Sequence, residues 1–200
     1  MTTIILAGVL LLIAAILIYA ATKPNVYPIE RSILIKANPE KIFDYINNLK
    51  AWEVWTPYNQ DAKGETLFSG PDSGPNAAFS WNSKGKAGKG SMEITKSIRP
   101  TMVAIDLRMI KPFLVVNKVE FLIDPQGDGT KVTWRMQHNE PYPAKVVGIF
   151  MSMDKMVGSD FEIGLARLKN TVEDEVAAIK ATLEPYASRK GQIDGKHPGW

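Results

Sequence analysis

The segment Met153-Asp-Lys-Met-Val-Gly-Ser-Asp-Phe-Glu-Ile-Gly-Leu-Ala-Arg-Leu-Lys169 places Met153, Val157, Phe161, Leu165 and Leu168 at steps of three and four. That spacing puts an apolar stripe on one side of an α-helix. It continues outward from Val147 and Phe150 to Val172, Val176, Ile179 and Leu183. Ala144 to Leu183 is therefore expected to form one long amphipathic helix. Upstream, short alternating runs are cut by turn residues. Thr66–Ser69 precedes Gly70-Pro71, Ala77–Asn82 precedes Ser83-Lys84-Gly85, and Gly88–Ile98 ends at Arg99-Pro100. Met102–Met109, Val115–Asp124 and Thr130–His138 follow, ending at Lys111-Pro112, Pro125–Gly129 and Pro141. Such punctuation indicates an antiparallel meander. Tyr27–Lys36 reads as a further strand, and Asn38-Pro39-Glu40 as a capped helix start carrying Ile42, Phe43 and Ile46. Burying both apolar faces together requires an α+β arrangement, a curved antiparallel sheet wrapped around the long C-terminal helix.

The N-terminus is of another kind. No charged side chain occurs from Thr2 to Thr22, and Ile4 to Tyr19 is almost wholly apolar. About 19 residues at ~1.5 Å each span roughly 28 Å, near the thickness of a bilayer's hydrocarbon core. Only a helix satisfies its own backbone there, so residues 4–21 are expected to cross a membrane once. A cleaved signal peptide fits less well, because no Lys or Arg precedes the run and no small-x-small cleavage site follows it. Lys23, Arg31 and Lys36 come after the helix, which favours the cytoplasmic side for the rest of the chain. The organisation expected is an anchor over 1–22, a linker over 23–26, one domain over 27–183 and a flexible tail over 184–200.

Composition narrows the chemistry. The formal charge of +3 is spread along the chain, its densest cluster being Lys84, Lys86 and Lys89, too thin for a nucleic-acid stripe. There is no cysteine, and the histidines are His138 and His197 only. Disulfides, thiolate catalysis and His-rich metal cages are excluded, and no cofactor is implied. Alternation assigns Phe79, Trp81, Met92, Ile94, Ile105, Leu107, Val119, Phe121, Ile123, Val132, Trp134 and Met136 to the face toward the long helix. Glu93, Asp106, Arg108, Lys118, Glu120 and Arg135 fall on the other face as cross-strand charge pairs. The inward face thus lacks the paired carboxylates that acid–base chemistry needs. Two polar residues keep phase with it, Asn117 and His138. They are read either as polar handles for one end of a ligand or as strand ends meeting water. Trp52, Trp55 and Tyr58 line an entrance or plug a loop. Asp154 and Asp160 are assigned to the solvent side of the helix.

The element order and several words of sequence resemble the SRPBCC superfamily, also called START-like, and within it the bacterial polyketide cyclase/dehydrase and lipid transport group. The words are Ile35-Lys-Ala-Asn-Pro-Glu-Lys-Ile-Phe43, Trp52-Glu-Val-Trp-Thr-Pro-Tyr58, Gly88-Lys-Gly-Ser-Met-Glu-Ile94, Gly129-Thr-Lys-Val-Thr-Trp134 and the helical segment 153–169. The resemblance implies a helix-grip fold with an apolar cavity between sheet and helix. Trp81, Ile94, Leu107, Phe121, Trp134, Phe150 and Met153 are then expected to line it. With the anchor, it also implies a bacterial inner membrane.

Three functions follow from this reading. The first is a membrane-anchored, non-catalytic binder of an apolar small molecule or lipid. The second is a cyclase or dehydratase working through His138. The third is an interaction module whose core is filled by its own large side chains. No nucleic-acid partner is expected, and the oligomeric state stays open.

Overall fold

A computed structural model describes residues 1–58, 64–83, 88–111, 114–140, 142–149 and 152–193. After an N-terminal helix, α1 (Thr2–Thr22), come β1 (Val26–Ile35), α2 (Pro39–Asn47) and α3 (Trp52–Trp55). Six strands follow: β2 (Glu65–Ser69), β3 (Ala78–Asn82), β4 (Lys89–Ile98), β5 (Met102–Lys111), β6 (Val115–Gln126) and β7 (Gly129–Asn139). Two helices complete the chain, α4 (Tyr142–Gly148) and α5 (Met153–Ile193). All seven strands form one antiparallel sheet in the order β1-β7-β6-β5-β4-β3-β2. This is the α+β helix-grip arrangement read from the sequence.

Each local feature has a chemical cause. The Asn38 side chain accepts from the Glu40 backbone N–H at 2.9 Å, with Pro39 where a missing N–H costs nothing. The turn between β3 and β4 closes as the Ser83 N–H donates to the Gly88 carbonyl at 2.8 Å. Side chains alternate as the pleat requires. Ile94, Ile105, Val119, Phe121, Ile123, Val132, Trp134 and Met136 are buried on the concave face. The convex face carries Asp106–Lys118 at 2.6 Å and Arg135–Glu30 at 2.6 Å, the charge pairs expected there.

The C-terminal helix differs from expectation in two ways. It is two helices, because Gly148 ends α4 and Ser152 starts α5. A Cβ on Gly148 would lie 2.8 Å from the Glu140 carboxylate, so the glycine makes room for that group. Ser152 Oγ accepts from the Lys155 N–H at 3.3 Å, satisfying a first-turn donor. The helix also runs on to Ile193, past Leu183, the last residue before the tail expected from 184. Ala187-Ser-Arg-Lys190 holds no glycine or proline, so nothing before Gly191 except Pro185 opposes helix.

α5 is strapped to β1 by Arg31. Its Nε donates to Glu162 at 2.6 Å and its Nη1 to Asp154 at 3.2 Å. The guanidinium crosses the helix at Gly158, where a Cβ would lie 2.1 Å from Nη2. Asp154 therefore meets a partner while its side chain stays half exposed on the solvent side, and Asp160 holds the Tyr58 hydroxyl.

Candidate functional site on the concave face

The space between sheet and α5 is floored by aromatic rings. Trp134 stacks on Phe161 with centroids 4.1 Å apart, and Phe121 lies 4.9 Å away. Trp55 and Trp52 of α3 approach Trp134 edge-on at 5.6 and 6.2 Å. Edge-to-face and offset contacts at these distances suit the ring quadrupoles. Gly164 lets α5 close on this stack, since a Cβ there would sit 2.9 Å from the Trp134 ring. Trp52 and Trp55 are thus a plug beneath their loop, buried with their N–H groups on the Ile46 and Tyr45 carbonyls.

One layer further along the strands, the concave face changes character. The register joins Phe79 to Met92, Met92 to Leu107 and Leu107 to Asn117, and places Tyr27 opposite His138. α5 packs chiefly on β1, leaving Phe79, Trp81, Met92 and Leu107 half-buried on β3 to β5. Trp81 lies flat across Gly90, where a Cβ would be 2.5 Å from its ring, and stacks on Phe79 at 5.8 Å. The result is an apolar shelf, open on one side and bounded by Asn117, His138 and Tyr27.

The residues expected to line a cavity divide accordingly. Ile94, Phe121 and Trp134 are fully buried in the floor. Trp81 and Leu107 belong to the half-open shelf, and Met153 is half-buried at the start of α5. Phe150 lies outside the described residues. Phe79 and Met92 share the shelf, and Tyr27 bounds it. A separate open cleft beside Leu49, Phe68 and Asp72 lies by the β2–β3 turn and takes none of these side chains.

The polar residues are more informative. Asn117 and His138 are both buried, so neither is a strand end washed by water. His138 is 7% exposed, and among the described residues neither ring nitrogen has a hydrogen-bond partner. Its ring meets that of Tyr27 edge-on, with centroids 5.2 Å apart. Trp134 Nε1 is a second buried donor without a partner among the described residues. Burial pulls the His138 pKa below its ordinary 6.5, opposed in part by the Glu140 charge, so the imidazole is neutral at pH 7. Burial, with Glu140 and Asp154 nearby, pushes the Tyr27 phenol up to about 12.

This arrangement has a pH consequence. As pH falls below 6.5 the unfolded chain takes up a proton at His138 before the folded chain does. The stability present above that pH is lost progressively toward the lower folded-state pKa. His138→Phe should abolish this loss and raise stability at pH 7 by about 1 kcal/mol, since it removes two unsatisfied buried atoms. Unfolding midpoints of the full chain between pH 8 and 5 test this. An acid loss unchanged in the variant would assign it to another group.

The sequence matches the family described as polyketide cyclase/dehydrase and lipid transport over residues 28–173. The chain belongs to that family. No protein with a curated description matches it in sequence. Among solved structures, it resembles the Aha1 dimer from Colwellia psychrerythraea at 20% identity, covering 74% of this chain and 96% of that one, with a TM-score of 0.52. TTHA0849 from Thermus thermophilus is 16% identical, with 76% and 99% covered and a TM-score of 0.55. The di-domain ARO/CYC BexL from the BE-7585A biosynthetic pathway is 8% identical, with 78% and 53% covered and a TM-score of 0.54. These likenesses show the fold, which in this family serves as a frame for ligand binding.

Proposed function

We propose that this protein is a membrane-anchored binder of an apolar small molecule or lipid bearing one polar end. The apolar part would rest on Trp81, Leu107 and Met153 above a floor of Ile94, Phe121 and Trp134. The polar end would face His138 and Asn117. The observation that carries this is His138, a neutral imidazole buried without a hydrogen-bond partner among the described residues, at the border of a half-open apolar shelf. An unsatisfied buried polar group costs about 1–3 kcal/mol, which a ligand oxygen or hydroxyl would recover. Trp134 Nε1 supports the same reading.

Anchoring rests on α1, long and apolar enough to cross a membrane. Retention of α1 in the mature chain is supported by its ties to the domain. Ala20 is fully buried, and the Tyr142 hydroxyl donates to the Leu17 carbonyl at 2.9 Å. A bacterial inner membrane with the domain in the cytoplasm accords with Lys23, Arg31 and Lys36 following the helix.

A second reading, an interaction module with a filled core, is favoured by the cluster of Trp52, Trp55, Phe121, Trp134 and Phe161 rings that occupies the centre of the grip. The cyclase alternative has less support, because a general base needs an orienting partner and His138 has none among the described residues. Native mass spectrometry of the full chain from its own cells, with extraction of whatever co-purifies, separates these readings. The binder should carry one apolar molecule per chain, lost in His138→Phe more than in a distant surface variant. A chain that is reproducibly empty, and silent to hydrophobic fluorescent probes, would favour the filled-core module.

A further inference from the structure

The end of the sheet nearest α1 differs from the rest of the surface. The register fixes what meets there: Val26 pairs with Asn139, Lys118 with Gln137, and Met109 with Val115. The start of β1, the end of β7 and the β5–β6 connection therefore lie at one end, with α4 beside them. On the convex face the ion pair Asp106–Lys118 is followed, toward this end, by exposed Arg108 opposite Val116 and then by Ile110, with Leu114, 73% exposed, just before β6. α4 adds exposed Tyr142 and Val147. Single exposed apolar residues are ordinary; here several gather at one end of the sheet, beside basic Arg108, which suits a contact surface.

The depth of this surface follows from α1. Tyr142 donates to Leu17, which lies five residues before Thr22 and so about 7 Å inside the helix end at ~1.5 Å per residue. Lys145 Nζ donates to the Lys23 carbonyl at 2.6 Å. Any element touching Leu17 to Lys23 of a spanning helix lies at headgroup depth, where tyrosine is favoured. Charge agrees. Lys89 and Lys111 stand directly opposite each other at this end. Like charges in register are unfavourable alone, and an anionic lipid surface would offset them.

We propose that the α1 end of the domain docks on the bilayer surface, with Ile110, Leu114, Val116 and Val147 entering the interface and Lys89 and Lys111 meeting anionic headgroups. This rests on the reading of α1 as an anchor. The open side of the shelf then adjoins lipid, and an apolar ligand passes between bilayer and protein without crossing water.

The absence of cysteine makes the test direct, since single cysteines can be labelled cleanly. The full chain is reconstituted in phosphatidylcholine–phosphatidylglycerol vesicles containing doxyl-labelled lipid as quencher. An environment-sensitive fluorophore is placed on Leu114→Cys, Val147→Cys, Leu11→Cys within α1, or Asp128→Cys in the β6–β7 turn at the opposite end. Docking requires blue-shifted emission and loss of most of the fluorescence for the first three, with Asp128→Cys unquenched. Quenching of Leu11→Cys alone would overturn docking while leaving the anchor intact. No quenching at Leu11→Cys would overturn both. Ligand occupancy, read separately by mass spectrometry, does not enter these outcomes.

Discussion

Cutting Trp134 back to alanine is expected to lower stability by about 3–5 kcal/mol, the range for losing a fully buried aromatic side chain. Trp134 is 2% exposed and touches Phe121, Phe161, Trp52 and Trp55. Its neighbours come from three separate elements, α3, β6 and α5, so no single shift can fill the gap. α5 already approaches as closely as Gly164 permits. Trp134→Phe should behave differently. It keeps most of the ring contact and deletes Nε1, a buried donor with no partner among the described residues. Relief of that atom offsets part of the lost volume, and the phenylalanine variant should stay within about 1–2 kcal/mol of the parent. Denaturant unfolding of the full chain in micelles measures both. The pair also reports on function. If Trp134→Phe folds normally but loses a co-purifying ligand, Nε1 contacts that ligand. If Trp134→Ala costs under about 1 kcal/mol, the rings are not a close-packed floor.

The sequence made some of this legible and not the rest, for physical reasons. Strand parity placed Phe121, Trp134 and Met136 on the concave face because side-chain direction in a strand alternates by chemistry that no tertiary contact alters. The start of α2 was equally plain, since Asn38-Pro39 acts locally. Parity also holds for His138, but its burial depends on tertiary neighbours such as Tyr27, which alternation does not describe. Arg31 shows the limit from the other side. It keeps phase with Ile29 and Ile33 and so belongs to the concave face, opposite Trp134, but alternation does not say what its charge meets. Only the contact with Asp154 and Glu162, more than 120 residues away in the chain, reveals it as the strap on α5. Ser152 is a good N-cap residue, but the apolar spacing from Val147 to Val157 runs straight through it and masks the break. Lys145 was hidden for the same reason as Arg31: a lysine on a short helix is ordinarily solvated.

Lys145→Met is expected to cost about 2–4 kcal/mol, the second largest effect foreseen. Lys145 is only 4% exposed, and its ammonium bridges the Lys23 carbonyl at 2.6 Å and the Asn25 side-chain oxygen at 2.5 Å. Hydrogen bonds from a charged donor exceed neutral ones, and a cation beside the last carbonyls of α1 also meets the negative end of the helix dipole. Methionine matches the stem in length but leaves both oxygens short of a donor in a place water does not reach freely. The Glu140 N–H would still hold the Asn25 carbonyl at 2.8 Å, so the join should loosen without coming apart. Hydrogen exchange should therefore quicken at residues 19–26 and 142–148 while the ladder between β4 and β5 keeps its protection. Unchanged exchange would mean that Lys145 does not hold the join, leaving it to the Tyr142–Leu17 and Glu140–Asn25 bonds. The distinction bears on function because a tether and a rigid root do different things. A flexible tether only raises the domain's concentration near lipid. A root fixed by Lys145 also sets which end of the grip faces the bilayer, and Leu114 at that end can meet lipid only if that angle is held.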